Sequence, residues 1–178
     1  AVAYIANEQK TSKYFGAGFA LFALAGIPYT VFQTTTAWKV LGMSICILAG
    51  IIALVVSMFI SKDEYTILKK ESLLFDYEFL KVLTDEYRSM KKKNMVVAIP
   101  CTVLFIIGLL TLAITVRGII PWTHYHSLVF LGLSVGLFGF VYSAGTMEAY
   151  EILVHNEKYS NSFWFKVKRK AKLKIDKW

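Results

Sequence analysis

Four stretches of this chain contain no Asp, Glu, Lys or Arg: Tyr14–Phe32, Val40–Ile60, Asn94–Val116 and His126–Met147. Each is close to the roughly 20 apolar residues that a membrane-spanning helix needs. The absence of ionisable groups inside these runs argues against an ion pump or a proton-coupled transporter, which place such groups within the membrane. A lipid or quinone pocket of aromatic and small side chains is not excluded. Cysteine is scarce too: Cys46 and Cys101 indicate no disulfide framework. At 1.5 Å per residue the two lie at depths about 12 Å apart in the bilayer, beyond disulfide reach. Both are small packing residues. No secretory signal is evident, because Ala1–Lys10 is mixed and carries Glu8. The chain begins at Ala1 rather than Met, which suggests a processed form or a fragment.

What is present is apolar and basic. Hydrophobic residues make up 56% of the 178, above the roughly 45–50% of soluble domains. The net charge of +8 suggests anionic partners, lipid head groups or nucleic acid. The expected fold is all-α: a polytopic membrane protein whose four transmembrane helices form two tandem hairpins. Residues 1–60 hold the first hairpin behind a short polar lead, Ala1–Lys13. Residues 61–93 form an amphipathic connector, 94–147 the second hairpin, and 148–178 a basic tail. Of the 20 Lys and Arg residues, only Lys39 and Arg117 fall in the two turns, Gln33–Lys39 and Arg117–Tyr125. The positive-inside rule then places lead, connector and tail in the cytoplasm of a multi-pass cell-membrane protein, with both termini inside. Pro28 falls where the first span is finishing, and Pro100 is expected to kink the third span near its start.

Within the second span Gly42, Cys46 and Gly50 recur every four residues, and Gly132 and Gly136 form a GxxxG pair in the fourth. Gly139 and Ser143 extend that small-residue face. Such faces allow another helix to come close. The connector carries one apolar face, Leu73, Tyr77, Leu80, Leu83, Tyr87 and Met90, before it ends in Lys91-Lys92-Lys93. A helix lying on the membrane surface fits this pattern, and packing against a soluble partner fits it equally. A protein partner is expected here. In the tail, Trp164, Val167, Ala171, Ile175 and Trp178 follow helical spacing, while Lys166-Val167-Lys168 and Lys172-Leu173-Lys174-Ile175 alternate. Trp164, Lys166, Lys168, Arg169, Lys170 and Lys172 are the candidate lipid-binding residues. With Phe163 and Phe165 they suit an anionic lipid surface at the inner leaflet. Nucleic acid competes, since aromatics among lysines can stack on bases, but tethering beneath a bilayer favours lipid.

Chemistry is thin. His124 and His126 form a His-x-His pair in the second turn, the weak candidates for a metal. Two ligands are too few for a closed zinc site, and two interfacial aromatics beside Trp122 and Tyr125 are the favoured alternative. Asp63 with Glu64, and Glu148 with Glu151, mark where helices leave the lipid; no cleft or third group accompanies them. Neither a cofactor nor catalysis is expected.

The halves resemble each other. Ser61-Lys62-Asp63-Glu64-Tyr65-Thr66-Ile67-Leu68 follows the second span, and Thr146-Met147-Glu148-Ala149-Tyr150-Glu151-Ile152-Leu153 follows the fourth. The run Gly18-Phe19-Ala20-Leu21, then Leu24, then Ile27-Pro28, together with Glu64-Tyr65 and Leu68 and with Glu148, Tyr150 and Leu153, carries a family resemblance. It resembles the membrane region found behind a helix-turn-helix domain in Xre-type transcriptional regulators of Gram-positive bacteria. The resemblance covers most of Lys10 to Tyr159. No helix-turn-helix lies in these 178 residues, so nucleic acid is expected only through a domain outside this chain. The implied function is a non-enzymatic membrane sensor or regulatory module. An accessory subunit of a transporter or other membrane complex is the alternative, and a small-molecule or lipid carrier the weaker one.

Overall fold

The charge-free runs are long enough to satisfy every backbone hydrogen bond internally only as helices, the one open-chain solution in hydrocarbon. A computed structural model shows this outcome. It describes residues 1–32, 35–61, 75 and 77–154. Among them the chain is all-helical: α1 (Val2–Leu24), α2 (Gly26–Val31), α3 (Thr36–Ile60), α4 (Tyr77–Val116) and α5 (His126–Val154). Four helical stretches, α1 with α2, then α3, α4 and α5, are long and apolar enough to cross a membrane. The chain is a multi-pass membrane protein.

Two helices start earlier than the charge pattern suggests. The lead is not a polar arm, because α1 begins at Val2 and carries Glu8, Lys10 and Lys13 within it. The connector's amphipathic segment is not a separate helix on the surface. From Tyr77 it runs without interruption into the third span and through Pro100, so that α4 is 40 residues long. At 1.5 Å per residue this is about 60 Å, twice a hydrocarbon core of about 30 Å. The other proline acts where it was expected. Pro28 has no N–H to offer Leu24, and the helix breaks at Ala25, whose N–H is shared between Leu21 O and Phe22 O at 3.1 and 3.2 Å. Gly26 sits against the Phe130 ring, where a Cβ would collide. At the far end of α4, Gly118 adopts φ 76°. The Gly118 N–H then bonds Thr115 O at 2.9 Å and the Ile119 N–H bonds Ile114 O at 3.2 Å. This is the double closure by which a left-handed glycine ends a helix.

The helices stand in a row: α3 packs on α1, α1 on α5, and α5 on α4, with α2 touching both α3 and α5. Each of these neighbours runs antiparallel to the next. On α4, Tyr87, Asn94, Cys101, Gly108 and Thr115 are buried at intervals of seven, a repeat that keeps one stripe against a partner helix. Along α5 their counterparts come in reverse order. Thr115 meets His126, Gly108 meets Leu133, Cys101 meets Gly136 and Gly139, Asn94 meets Ser143 and Tyr87 meets Glu151. The opposite side of α5 meets α1: Phe138 and Val141 lie on Gly16, and Gly145 lies on Ser12. A helix with two buried sides has no single apolar stripe, which is why α5 is not amphipathic in sequence.

Candidate functional site

Three helices outrun the apolar spans at the same end of the row. They are the start of α1, the first turns of α4 and the last turns of α5. There Tyr4, Ile5, Leu83, Tyr87, Ala149, Tyr150 and Leu153 form one buried cluster, with Ala1, Phe75, Met90, Met147 and Val154 packed around it. α4 and α5 supply residues one turn apart, Leu83 and Tyr87 on α4 and Ala149, Tyr150 and Leu153 on α5, and α1 supplies the adjacent pair Tyr4 and Ile5. Tyr4 is wholly buried, 0% exposed. Burying an aromatic side chain of this size removes about 150–250 Å² from water, a stabilisation of at most about 4–6 kcal/mol.

The cluster has a polar edge. The Tyr87 hydroxyl donates to Glu151 Oε1 at 3.1 Å, and Lys91 Nζ lies over the Tyr87 ring, 5.7 Å from its centroid. Burial first, then the Glu151 charge and the hydrogen bond to it, hold the Tyr87 hydroxyl above its ordinary 10.0. Burial, and then the charge of Glu86, push Tyr150 the same way.

One turn deeper the contacts become small and polar. Ser12 of α1 fits against Gly145 so tightly that a Cβ there would strike its hydroxyl. Thr146 is 0% exposed, and Thr11, Ser143 and Thr146 hold buried hydroxyls with no hydrogen-bond partner among the described residues. Asn94 Nδ2 reaches Ser143 O at 3.5 Å. On the outer side of this junction an open groove of about 240 Å³ runs between α4 and α5, with Lys91, Asn94 and Glu151 at one end and Ala98, Thr102 and Phe140 at the other.

The connector face expected to meet a partner is met from within the chain at Leu83, Tyr87 and Met90. Leu80 is half-buried, Tyr77 is 78% exposed, and Leu73 lies outside the described residues. So do the tail positions Trp164, Lys166, Lys168, Arg169, Lys170 and Lys172, and the first copy of the repeat beyond Ser61. The small-residue faces are partly as expected. Gly42 packs on Pro28, Gly50 on Phe22 and the Gly18 carbonyl, and Gly136 on the Cys101 carbonyl and Phe105. Cys46 is half-buried. Gly132 has nothing within 4 Å of its Cβ position. It lies off the contact stripe, and the α5 glycines that pack closely on α4 are Gly136 and Gly139.

The two histidines do not converge. Thr123 N–H donates to His126 Nδ1 at 3.1 Å, which leaves the ring proton on Nε2, 2.8 Å from Thr115 Oγ1. The Thr115 hydroxyl donates in turn to Thr111 O at 2.8 Å. His124 Nδ1 lies 3.2 Å from Thr30 O. Both rings tie the outer turn to the helices, and among the described residues no three His, Cys, Asp or Glu gather as metal ligands.

Sequence reasoning missed Tyr4, Ile5 and the Ser12–Gly145 contact. The Tyr4-Ile5 pair was masked by nearby charges. Tyr150 and Leu153 stood out only as a repeat signature, although their spacing with Thr146 is that of a helix face. Comparison with known proteins finds no matching family model, no matching curated protein and no matching solved structure.

Proposed function

We propose that this chain is a non-enzymatic sensor or regulatory module of the cell membrane, built as two tandem hairpins with both termini in the cytoplasm. The observation that carries this reading is the cluster around Tyr4, Tyr87 and Tyr150. Three helices continue from the apolar layer into it, with no break in α4 or α5. A shift between spans is therefore carried along α4 and α5 into their contacts in the cluster, where it changes how the two helices pack. The antiparallel contacts of α1 and α2 with α3, and of α4 with α5, support the hairpins. The orientation is supported by the basic residues, of which only Lys39 and Arg117 fall in the two turns between spans. The likeness to the membrane region of Xre-type regulators supports the regulatory role, with any nucleic-acid contact made through a domain outside this chain.

The test is a distance measurement in bilayers. Spin labels at exposed Val82 on α4 and Glu148 on α5, in a chain whose Cys46 and Cys101 are replaced by alanine, report the packing of the cytoplasmic end. Coupling predicts that the distance changes by several ångströms between thin and thick bilayers, the range of small helix shifts in known switches. An unchanged distance across thicknesses overturns the coupling. Stable co-purification with a larger permease, with the same fixed distance, would favour the accessory-subunit role instead.

A further inference from the structure

The groove between α4 and α5 carries an assignment of its own. It begins at the level where α4 leaves its basic run, Lys91-Lys92-Lys93, and enters its apolar stretch at Met95. From Lys91 to Thr102, and from Glu151 to Phe140, each wall is about 16 Å long at 1.5 Å per residue. The outer end is charged and the inner end apolar. This is the polarity profile of one leaflet of a bilayer, from head group to upper acyl chain.

The charges are of both signs. Lys91 and Glu151 flank the same opening, and among the described residues neither is in an ion pair. Asn94, about nine-tenths buried, and Ser143, whose buried hydroxyl has no partner among the described residues, line the same groove further in. An anionic lipid would satisfy Lys91 and be repelled by Glu151. A lone cation would do the reverse. A zwitterion with a phosphate and a primary ammonium satisfies both, since the ammonium can donate hydrogen bonds to a carboxylate. The Tyr87 hydroxyl already fixes one Glu151 oxygen at 3.1 Å, which leaves the second carboxylate oxygen for a ligand. About 240 Å³ accommodates a head group and the glycerol region, while the acyl chains continue along Ala98 and Phe140 into the bilayer.

We infer that the α4–α5 groove is a binding site for a zwitterionic glycerophospholipid with an ethanolamine head group, its phosphate at Lys91 and Asn94 and its ammonium at Glu151. The inference rests on the membrane placement given above and not on coupling to the cytoplasmic end, so either can fail while the other stands.

The full chain, purified in mild detergent, is mixed with equal amounts of phosphatidylethanolamine and phosphatidylglycerol of matched acyl chains, and retained lipid is read by native mass spectrometry. The wild type is expected to retain the ethanolamine lipid over the glycerol lipid by about threefold, the scale of one accessible charge pair. Glu151→Gln, which keeps an acceptor for Tyr87, should bring that ratio to about one or below. Ala98→Trp fills the apolar end and should lower retention of both lipids. Leu48→Trp, on the exposed face of α3, should change neither and so separates the groove from general lipid coating. Equal retention by the wild type, or a preference that survives Glu151→Gln, overturns the assignment. Should Ala98→Trp fail to fold, the Glu151→Gln ratio decides alone.

Discussion

The stripe that α4 presents to its neighbours is bulky before Asn94 and small after it. Leu83, Tyr87 and Met90 pack into the cluster with Tyr4 and Tyr150, while on the same helix the charged residues Glu78, Lys81, Asp85, Glu86 and Arg88 face outward. Beyond Asn94 the order inverts. Cys101, Gly108 and Thr115 are buried, and Ile99, Val103, Ile106 and Leu110 are exposed. The two halves obey different solvents. In water, burying a large apolar side chain is favourable at about 25 cal/mol per Å². In hydrocarbon that gain vanishes, because lipid tails are as apolar as leucine. Helices then associate through close approach, dispersion and hydrogen bonds, all of which favour small residues. The change at Asn94 is the one expected where a helix passes from water into lipid.

Three perturbations probe this division. The largest effect is expected from Tyr4→Ala, which removes a fully buried aromatic from the water-side cluster. A loss of about 3–5 kcal/mol is expected if water surrounds that end. It is measured by thermal unfolding of the purified chain, and a loss below about 1 kcal/mol would mean that lipid, not water, surrounds Tyr4. Next comes Gly136→Leu, whose side chain would meet the Cys101 carbonyl at 2.7 Å and the Phe105 backbone nitrogen at 2.9 Å. Overpacking of this kind costs about 1–3 kcal/mol. Gly132→Leu, with open space around it, should stay within about 0.5 kcal/mol. Equal costs for the two would remove the distinction between contact stripe and lipid face.

The smallest effect concerns the tyrosine hydroxyls. Both Tyr87 and Tyr150 titrate above 10.0 in the folded chain, so folding favours their protonated forms. Their contribution is complete below pH 10 and is lost as pH rises through the folded-state values. Tyrosinate absorbance should therefore appear late, together with loosening of the cluster. Tyr87→Phe should forfeit about 0.5–1 kcal/mol with its hydrogen bond to Glu151 and remove one late-titrating group. Titration of every tyrosine at the ordinary value would contradict the packed cluster.

The spans were legible in the sequence because a run without charge has few alternatives to a membrane helix. The helix ends were less legible: Lys91-Lys92-Lys93 and Glu148 broke the apolar runs, while α4 and α5 continue past them. Which face of each span meets its neighbour was far less legible. The α4 stripe continues through Asn94, Cys101, Gly108 and Thr115, residues that no hydropathy measure sets apart from lipid-facing ones. GxxxG named Gly132 and Gly136 alike, yet a single turn separates a contact from open space. Nor was the lead legible. Glu8, Lys10 and Lys13 gave it a polar character overall, while Tyr4 and Ile5 joined helices distant in sequence. The Leu83–Met90 face was visible as a face, but its occupants, α1 and α5, could be known only from the fold.

The length of α4 has a mechanical consequence. From Tyr77 to Lys93 the helix projects about 26 Å beyond its span, with no break between the two. A bilayer that thins or thickens by a few ångströms is accommodated largely by tilting such spans. A tilt of about 10° carried along that projection displaces its tip sideways by about 4–5 Å, roughly one helix radius with side chains. Under the sensor reading proposed above, α4 would act as a lever with its fulcrum near Asn94, its shorter arm beyond the span turning membrane thickness into lateral travel.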